Sequence, residues 1–287
     1  MRTLAIDIGG TKIALGLVDQ GILIDRRQIA TPAVKDVDIF AQTLLECANE
    51  WLTNCDNIGI STTGLVNAEG ISAINPETLA FPAPFPLAQA LQSKTHLYVK
   101  MLNDAQAAAW FEYTQLDSKV SSMAFITVST GVGGGIIVNG KLHKGLSGLA
   151  GHIGHMSISP SGPQCGCGQV GCVEAIASGT AIEKASHQRF SPAISNKELF
   201  ELAKSDPDAE AIIYQSAQAI AVLCCNLKAC LDLDVIVLGG GIGLATDYLS
   251  RVTQAIETRP AVFRVPVVAA KGDYDACLLG AAFQFGE

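Results

Sequence analysis

The sequence predicts a mixed α/β protein built from two similar halves. A short apolar strand, a glycine-rich turn and a second strand occur near Gly9 and again near Gly133, and alternating helices and strands follow each time. The 287 residues are enough for two modest domains, and 49% hydrophobic against 16% charged residues indicates compact packing. We expect an N-terminal domain over 1–115, completed by a helix in 270–287, and a second domain over 116–269.

Hydrophobic periodicity places the elements of the first half. Three strands separated by glycine turns form a meander, and apolar residues at helical spacing follow it. The predicted strands are 3–8, 13–19, 22–29, 57–62 and 97–101, and the predicted helices are 36–55, 86–94 and 104–114.

The second half begins in the same way. A strand at 123–128 leads into a turn over Thr130–Gly135 and a returning strand at 136–139. Further strands are expected at 235–238 and 265–269. Helices are expected at 174–189, 196–204, 207–231, 246–258 and 276–285.

Composition excludes several classes of partner. A formal net charge of −8 disfavours a nucleic-acid partner, which a basic surface would meet. No apolar run approaches the roughly 20 residues of a membrane helix, and no secretory signal is recognisable. The nine cysteines show no even secreted framework, so we expect reduced thiols and a cytoplasmic protein.

The first glycine turn, Asp7-Ile8-Gly9-Gly10-Thr11-Lys12, has the chemistry of a phosphate loop. Glycines let main-chain N–H groups approach phosphate oxygens, Thr11 can donate to them, and Lys12 can offset their charge. Asp7 suits a magnesium ion or its water ligands. The alternative is an ordinary hairpin turn.

A second glycine-rich turn occupies the matching place in the other half, over Thr130, Gly131, Val132, Gly133, Gly134 and Gly135. Two such loops predict a nucleotide triphosphate held from both sides, and Gly240 in a third glycine turn would lie against the adenosine. A P-loop is excluded because Gly140-Lys141 is followed by Leu142. No dinucleotide-binding glycine fingerprint follows the first strand, which disfavours a nicotinamide cofactor.

Asn103 and Asp104 end a strand and begin a helix. Either residue could simply cap the helix. The functional interpretation is that Asp104 is a general base, which takes a proton from a substrate hydroxyl as that hydroxyl attacks a γ-phosphate. Asn103 would then hydrogen-bond a neighbouring hydroxyl.

Three cysteines and two histidines between His152 and Cys172 indicate a metal site. Cys165, Cys167 and Cys172, with one histidine upstream, provide the four ligands that tetrahedral zinc prefers. Spacing does not decide between His152 and His155 as the fourth ligand. Loose thiols and a catalytic zinc are the alternatives, but four protein ligands would leave no open position and favour a structural ion.

Together these segments resemble the ROK family (repressor, open reading frame, kinase) of sugar kinases, over nearly the whole chain. The resemblance rests on the motifs already described and on Gly151-His152-Ile153-Gly154-His155, Cys165-Gly166-Cys167-Gly168-x-x-Gly171-Cys172 and Glu174-x-x-x-Ser178-Gly179. It implies an actin-like ATPase (ribonuclease H-like) fold, with two similar domains around a cleft, ATP with Mg²⁺, and a homodimer without a nucleic-acid or membrane partner.

The same resemblance assigns the site residues. It implies a structural zinc on His155, Cys165, Cys167 and Cys172, within a zinc-binding segment at 151–174, and Asp104 as the catalytic base. The sugar-contacting residues that it implies are Gly64, Asn75, Asn103, Asp104, His152, His155 and Glu174.

The resemblance also bears on the sugar. Family members of the hexokinase type usually carry Glu at the position of His152, so this chain departs from a glucose site. Its motifs imply 6-phosphorylation of N-acetylmannosamine in sialic acid degradation. The alternatives are a glucokinase or broad hexosamine kinase and, more remotely, a sugar-responsive repressor that lacks its DNA-binding domain.

Overall fold

A computed structural model describes residues 1–74, 81–272 and 274–286. Contacts divide the chain into two units. Unit 1 comprises Met1–Gln115, Lys144–Ala150 and Gly272–Glu287, and unit 2 comprises Leu116–His143 and Gly151–Lys271. The short segment Lys144–Ala150 therefore groups with unit 1, although the sequence-based boundary put it in the second domain.

Twelve strands lie in the described residues. In chain order they are β1 (Arg2–Ile8), β2 (Lys12–Asp19), β3 (Ile22–Ala30), β4 (Asn57–Thr62), β5 (Leu65–Asn67), β6 (Gly70–Ser72), β7 (Tyr98–Asn103), β8 (Met123–Val128), β9 (Val132–Val138), β10 (Lys141–Leu142), β11 (Val235–Gly239) and β12 (Val267–Ala269).

Eleven helices lie in the same ranges, with short 3₁₀ turns at Ile153–His155 and Ala261–Phe263. In chain order they are α1 (Val37–Cys47), α2 (Asn49–Leu52), α3 (Leu87–Thr95), α4 (Asp104–Thr114), α5 (Val173–Ala177), α6 (Gly179–Arg189), α7 (Asn196–Leu202), α8 (Pro207–Leu231), α9 (Gly240–Gly243), α10 (Tyr248–Glu257) and α11 (Ala276–Phe283).

The two units repeat one sheet plan. Unit 1 has the strand order β3-β2-β1-β4-β7 and unit 2 the order β10-β9-β8-β11-β12. In each, the first strand pairs antiparallel with the hairpin strand after it and parallel with the next strand of the sheet. The predicted duplication and the α/β class are confirmed, and the order is that of two copies of one supersecondary unit.

Helices cover both faces of the unit 1 sheet. Phe40 and Leu44 of α1 pack with Ile58 of β4 in one buried cluster, whereas Leu278 of α11 packs with Ala5 of β1 in another. Burial on both sides explains why the central strands are apolar almost throughout rather than alternating.

One predicted helix, at 174–189, is wrong because it is two helices. Ser178 separates α5 from α6, and its hydroxyl accepts a hydrogen bond from Ala181 N–H at 3.1 Å. Gly179 N–H donates to the carbonyl of Ser129 at 2.7 Å instead of to a residue in its own helix. The break therefore docks α6 onto the turn between β8 and β9.

The predicted helix at 36–55 is likewise two helices, α1 and α2, with Ala48 between them. Most other predicted elements agree closely with the structure. Strand β4 and helix α8 have the predicted bounds, and Asp206 caps α8 ahead of Pro207 at its first turn. The hairpin of β5 and β6 and the short strand β10 were not predicted, because each has only two or three residues. In the described ranges, no helix combines the length and the apolarity that crossing a lipid bilayer requires.

We expect Gly280→Ala to destabilise the protein, although glycine is usually the poorer residue inside a helix. A Cβ on Gly280 of α11 would lie 1.9 Å from the carbonyl oxygen of Ala107 in α4, so the two helices would have to separate. The expected loss is about 1–3 kcal/mol of unfolding free energy, measured by denaturant titration. Gly286→Ala is the matched control, since the nearest atom to its Cβ would be 3.7 Å away. Equal stability of the two variants would contradict the close packing.

Candidate active site

The first glycine-rich hairpin joins β1 to β2 in unit 1. Its base is held by two hydrogen bonds, from Gly9 N–H to the carbonyl of Lys12 at 3.0 Å and from the Thr31 hydroxyl to the carbonyl of Gly9 at 2.8 Å. Gly10, Thr11 and Lys12 are exposed. The hairpin thus presents its predicted phosphate-binding residues to solvent on a fixed base.

Asp7 lies just before this hairpin with its carboxylate largely buried. Ser61 on the neighbouring strand donates to Asp7 Oδ1 at 2.6 Å. Burial is the main cause that raises the pKa of Asp7 to about 6; the Ser61 hydrogen bond lowers it, and the nearby charge of Asp104 raises it. A bound cation would favour the charged form, as expected for a carboxylate that holds magnesium or its water ligands.

Asn103 is the cap of α4. Its side-chain oxygen accepts from Ala105 N–H at 3.0 Å and from Gln106 N–H at 3.3 Å, and Gln106 returns a bond to Asn103 N–H at 3.3 Å. This capping box satisfies the first donors of the helix. The Asn103 amide also donates to the carbonyl of Gly64 at 2.9 Å, so the side chain fixes two predicted site residues to each other.

Asp104, the first residue of α4, is oriented by two donors. The Thr63 hydroxyl donates to Oδ2 at 3.2 Å and Ala105 N–H donates to Oδ1 at 2.7 Å. Both bonds hold the carboxylate in one orientation at the end of β7. Asn75, also predicted to face the sugar, lies outside the described residues.

The second glycine-rich hairpin, in unit 2, is shorter than predicted. The turn is confined to Ser129–Gly131, because Gly133, Gly134 and Gly135 pair within β9 opposite Thr127, Ile126 and Phe125 of β8. The predicted turn over Thr130–Gly135 is therefore wrong for its last three glycines. A Cβ on Gly134 would lie 2.4 Å from Ile153, so small residues here let the 3₁₀ turn pack on the strand.

An open cavity of about 680 Å³ lies beside this hairpin, entirely in unit 2. Its wall includes Thr130 and Gly131 of the hairpin, Glu174 of α5, and Thr180 and Lys184 of α6. The third glycine turn begins α9, and the position of Gly241 is open, with no atom within 4 Å of where its Cβ would be. Gly240 is the first residue of that helix.

Four side chains of unit 2 form one potential metal centre. The ligand atoms of His155, Cys165, Cys167 and Cys172 all lie within 4.8 Å of one another. Cys167 Sγ is 3.7 Å from Cys172 Sγ, and Cys165 Sγ is 3.7 Å from His155 Nδ1. Zinc–sulfur bonds of about 2.3 Å in a tetrahedron give ligand separations of about 3.8 Å, so this set fits zinc.

The structure separates the two histidines that spacing left open. His155, at the end of the 3₁₀ turn, contributes to the cluster, whereas His152 precedes that turn and is half-buried. Burial is the main cause that raises the pKa of the Cys172 thiol to about 12, so a metal ion binding there would displace a proton.

Several contacts of the site were not predicted. Ser61, Thr63 and Thr31 orient Asp7, Asp104 and Gly9 by hydrogen bonds. The contact between Ser61 and Asp7 follows from the register of β1 and β4, which pairs these two residues. Gln106 could have been found from its position three residues after Asn103, the spacing of a capping box.

Two duplicated α/β units, each with a hairpin after its first strand, define the actin-like ATPase class. A sequence profile described as the ROK family matches residues 3–286. The chain therefore belongs to the ROK family.

Among characterised proteins, the chain is 66% identical over 287 residues to an N-acetylmannosamine kinase of Vibrio cholerae serotype O1, and the match covers 100% of both. A crystal structure of a ROK hexokinase from Thermus thermophilus matches with a TM-score of 0.87 and 32% identity, over 98% of this chain and 97% of that one. A ROK glucokinase from Streptomyces griseus in complex with glucose and AMPPNP matches with a TM-score of 0.75 and 29% identity, over 99% of each chain.

We expect Asp7→Asn to raise thermal stability in the absence of divalent cations. The pKa of Asp7 is about 6 in the folded protein against an ordinary value of 3.8. Between these two pH values the folded protein therefore binds more protons than the unfolded chain does. Stability therefore falls as the pH rises through this window. Asparagine removes the buried charge and keeps an acceptor for Ser61. The melting temperature should rise by about 2–5 °C at about pH 7.5 and by less at about pH 5.

The control is Asp234→Asn, for which the opposite sign is expected. Main-chain N–H groups of Ser121 and Ser122 donate to this carboxylate and lower the pKa of Asp234. Its charge therefore contributes stability above its ordinary pKa, and the variant should melt at a lower temperature. An Asp7→Asn variant that is no more stable than the parent protein at about pH 7.5 would show that the Asp7 carboxylate is not strained by burial.

Proposed function

We propose that this chain is an ATP-dependent sugar kinase that phosphorylates the 6-hydroxyl of N-acetylmannosamine, in sialic acid degradation. The observation that carries this proposal is the 66% identity, over the full length of both chains, to the Vibrio cholerae enzyme of that name. Relatives named hexokinase and glucokinase have lower identities of 32% and 29%.

Asp104 is the proposed catalytic base. The sugar hydroxyl gives its proton to this carboxylate while its oxygen bonds to the γ-phosphorus, and the bond from that phosphorus to the β-phosphate oxygen breaks to release ADP. Thr63 and Ala105 support the role because their hydrogen bonds orient the carboxylate.

The nucleotide would be held by main-chain donors of the two hairpins. At the first, Gly9, Gly10, Thr11 and Lys12 were the predicted contacts; Gly9 N–H already donates to the carbonyl of Lys12, so the exposed Gly10, Thr11 and Lys12 would bind the phosphate oxygens. At the second, Thr130, Gly131, Val132, Gly133, Gly134 and Gly135 were the predicted contacts, and Gly240 the adenosine contact. Only Thr130 and Gly131 of that set are at the tip of the turn.

Asp7 is the residue that would hold magnesium, directly or through its water ligands. When bound, magnesium neutralises charge on the transferring phosphoryl group.

We assign sugar contacts to Gly64, Asn103, His152, His155 and Glu174, and the same role to Asn75. Asn103 can take part with its second amide hydrogen, since the first donates to Gly64. His152 replaces the glutamate usual in hexokinase-type members, which argues against glucose as the preferred sugar.

We also propose that the protein binds a zinc ion, which the four ligand residues and the short distances between their ligand atoms support. Four protein ligands favour a structural ion that fixes the loop between His155 and Cys172. Zinc would thereby fix the segment between the proposed sugar contacts His152 and Glu174.

We further propose a cytoplasmic homodimer. All nine cysteines are thiols, which suits a reducing compartment. Val262 is 74% exposed and Phe263 is 41% exposed beside a groove lined by Val222 and Ala229, an apolar surface that a second copy could cover.

A panel of sugars tests the proposed activity. With ATP and magnesium, kcat/KM should be at least about tenfold higher for N-acetylmannosamine than for glucose or N-acetylglucosamine. Asp104→Asn should lower kcat by about 10²–10⁴-fold while ADP affinity is retained. Asp38→Asn is the control, because Asp38 is also an acidic residue in the first turn of a helix but is exposed. A preference for glucose, or an active Asp104→Asn enzyme, would refute the corresponding assignment.

Metal analysis tests the zinc proposal. The purified protein should contain about one zinc per chain, and Cys167→Ser should lose the metal and melt at a lower temperature. Cys230→Ser is the matched control, since Cys230 is exposed and lies on α8. A metal-free protein with unchanged melting temperature and activity would exclude a structural zinc.

A further inference from the structure

We infer that Glu174 is a positioning residue that links the metal centre to the second glycine-rich hairpin, so that metal occupancy sets the affinity for the nucleotide. The inference rests on the proposed function, because it presumes a nucleotide at that hairpin and a metal at the cysteine cluster. It adds a second role to a residue assigned above only to the sugar.

On the hairpin side, the Glu174 carboxylate is in direct contact with the chain. Its Oε2 accepts from Val132 N–H at 3.0 Å. A Cβ on Gly131 would lie 2.5 Å from the same oxygen, so the turn packs closely against the carboxylate. Val132 N–H was expected to bind phosphate; it is instead used to fix the turn, and its effect on the nucleotide is indirect.

On the metal side, Glu174 lies two residues after the ligand Cys172. Val173 N–H donates to the carbonyl of Met156 at 3.0 Å, which ties the start of α5 to the residue after His155. The Glu174 Oε1 atom is 3.9 Å from His155 Nδ1. Two of the potential ligands therefore lie next to this carboxylate, Cys172 along the chain and His155 in space.

The same groups surround one space. The cavity of unit 2 is lined by Thr130 and Gly131 of the hairpin, by Cys165 and Gly166 of the metal loop, and by Glu174 between them. A metal that joins His155 to the cysteines would fix the start of α5 and, with it, the acceptor for Val132. Without the metal these ligands are joined by the chain and by weaker contacts, such as that of the Cys172 thiol with the carbonyl of His155 at 3.4 Å, so the turn has a less constrained support.

Calorimetric titration with ADP, without sugar, tests this coupling on the full-length protein. The zinc-loaded parent should bind ADP about 5–10-fold more tightly than the parent stripped by a chelator. Because linkage is reciprocal, saturating ADP should raise zinc affinity by the same factor, measured in a zinc-buffered competition. Neither readout depends on sugar turnover.

Three variants identify the residue responsible. In Glu174→Ala, zinc-loaded protein should bind ADP as weakly as the stripped parent, and the zinc dependence should vanish. Glu174→Gln keeps an acceptor for Val132 N–H and should restore most of the coupling. Glu183→Ala is the matched control, since Glu183 also lies 3.9 Å from a histidine, His187, but on an exposed face of α6.

The outcomes are distinct. Equal ADP affinity with and without zinc, or an unchanged affinity in zinc-loaded Glu174→Ala, would overturn the coupling while leaving the kinase proposal intact. Absence of ADP binding by the zinc-loaded parent would overturn both. If the stripped parent unfolds, as judged by circular dichroism, the comparison of zinc-loaded Glu174→Ala with Glu174→Gln decides alone.

Discussion

The parallel register of β1, β4 and β7 is the constraint on which the unit 1 site depends. Ile8 pairs with Thr62, and Thr62 pairs with Asn103, so the three strands end at one edge of the sheet. Asp7, Thr63 and Asp104 lie at or next to these strand ends. Thr63 donates a hydrogen bond to Asp104, and the charge of Asp104 raises the pKa of Asp7. A shift of one residue in either pairing would turn alternate side chains to the opposite face and separate Asp104, the proposed base, from its hydrogen-bond donor Thr63.

Unit 2 repeats the sheet but supports its hairpin differently. In unit 1 the carboxylate beside the hairpin, Asp7, belongs to the strand itself and is held by a hydroxyl of the next strand. In unit 2 the carboxylate, Glu174, comes from a helix, and the helix follows directly on Cys172. One supersecondary plan thus places a carboxylate at each hairpin by two unrelated routes, and only in the second does the carboxylate follow the loop that carries the potential metal ligands.

The sequence predicted the structure correctly where the determining pattern lies within a few consecutive residues. Glycine turns, apolar runs and the cysteine spacing predicted β1, β2, α8 and the three cysteines of the potential metal site, whereas spacing left the histidine of that site open. It was insufficient where the deciding contact is distant along the chain. Gly133–Gly135 resemble a turn because glycine favours turns, and the strand pairing together with the close approach of Ile153 and the Phe125 carbonyl to Gly134 becomes visible only in the structure. The segment Lys144–Ala150 joins unit 1 through bonds from Gln106 to the carbonyls of Gly148 and Ala150, which no periodicity reveals.

The two interpretations of Asn103-Asp104, a helix cap or a catalytic pair, are not alternatives. Asn103 and Gln106 form the capping box of α4, and Ala105 N–H is shared between the Asn103 side chain and Asp104 Oδ1. The second oxygen of Asp104, Oδ2, accepts from the Thr63 hydroxyl instead of from the helix. The cap therefore does not occupy the whole Asp104 carboxylate, and its rigidity would keep the proposed base in place as a hydroxyl approaches. A cap at position 103 is thus compatible with the proposed role of position 104.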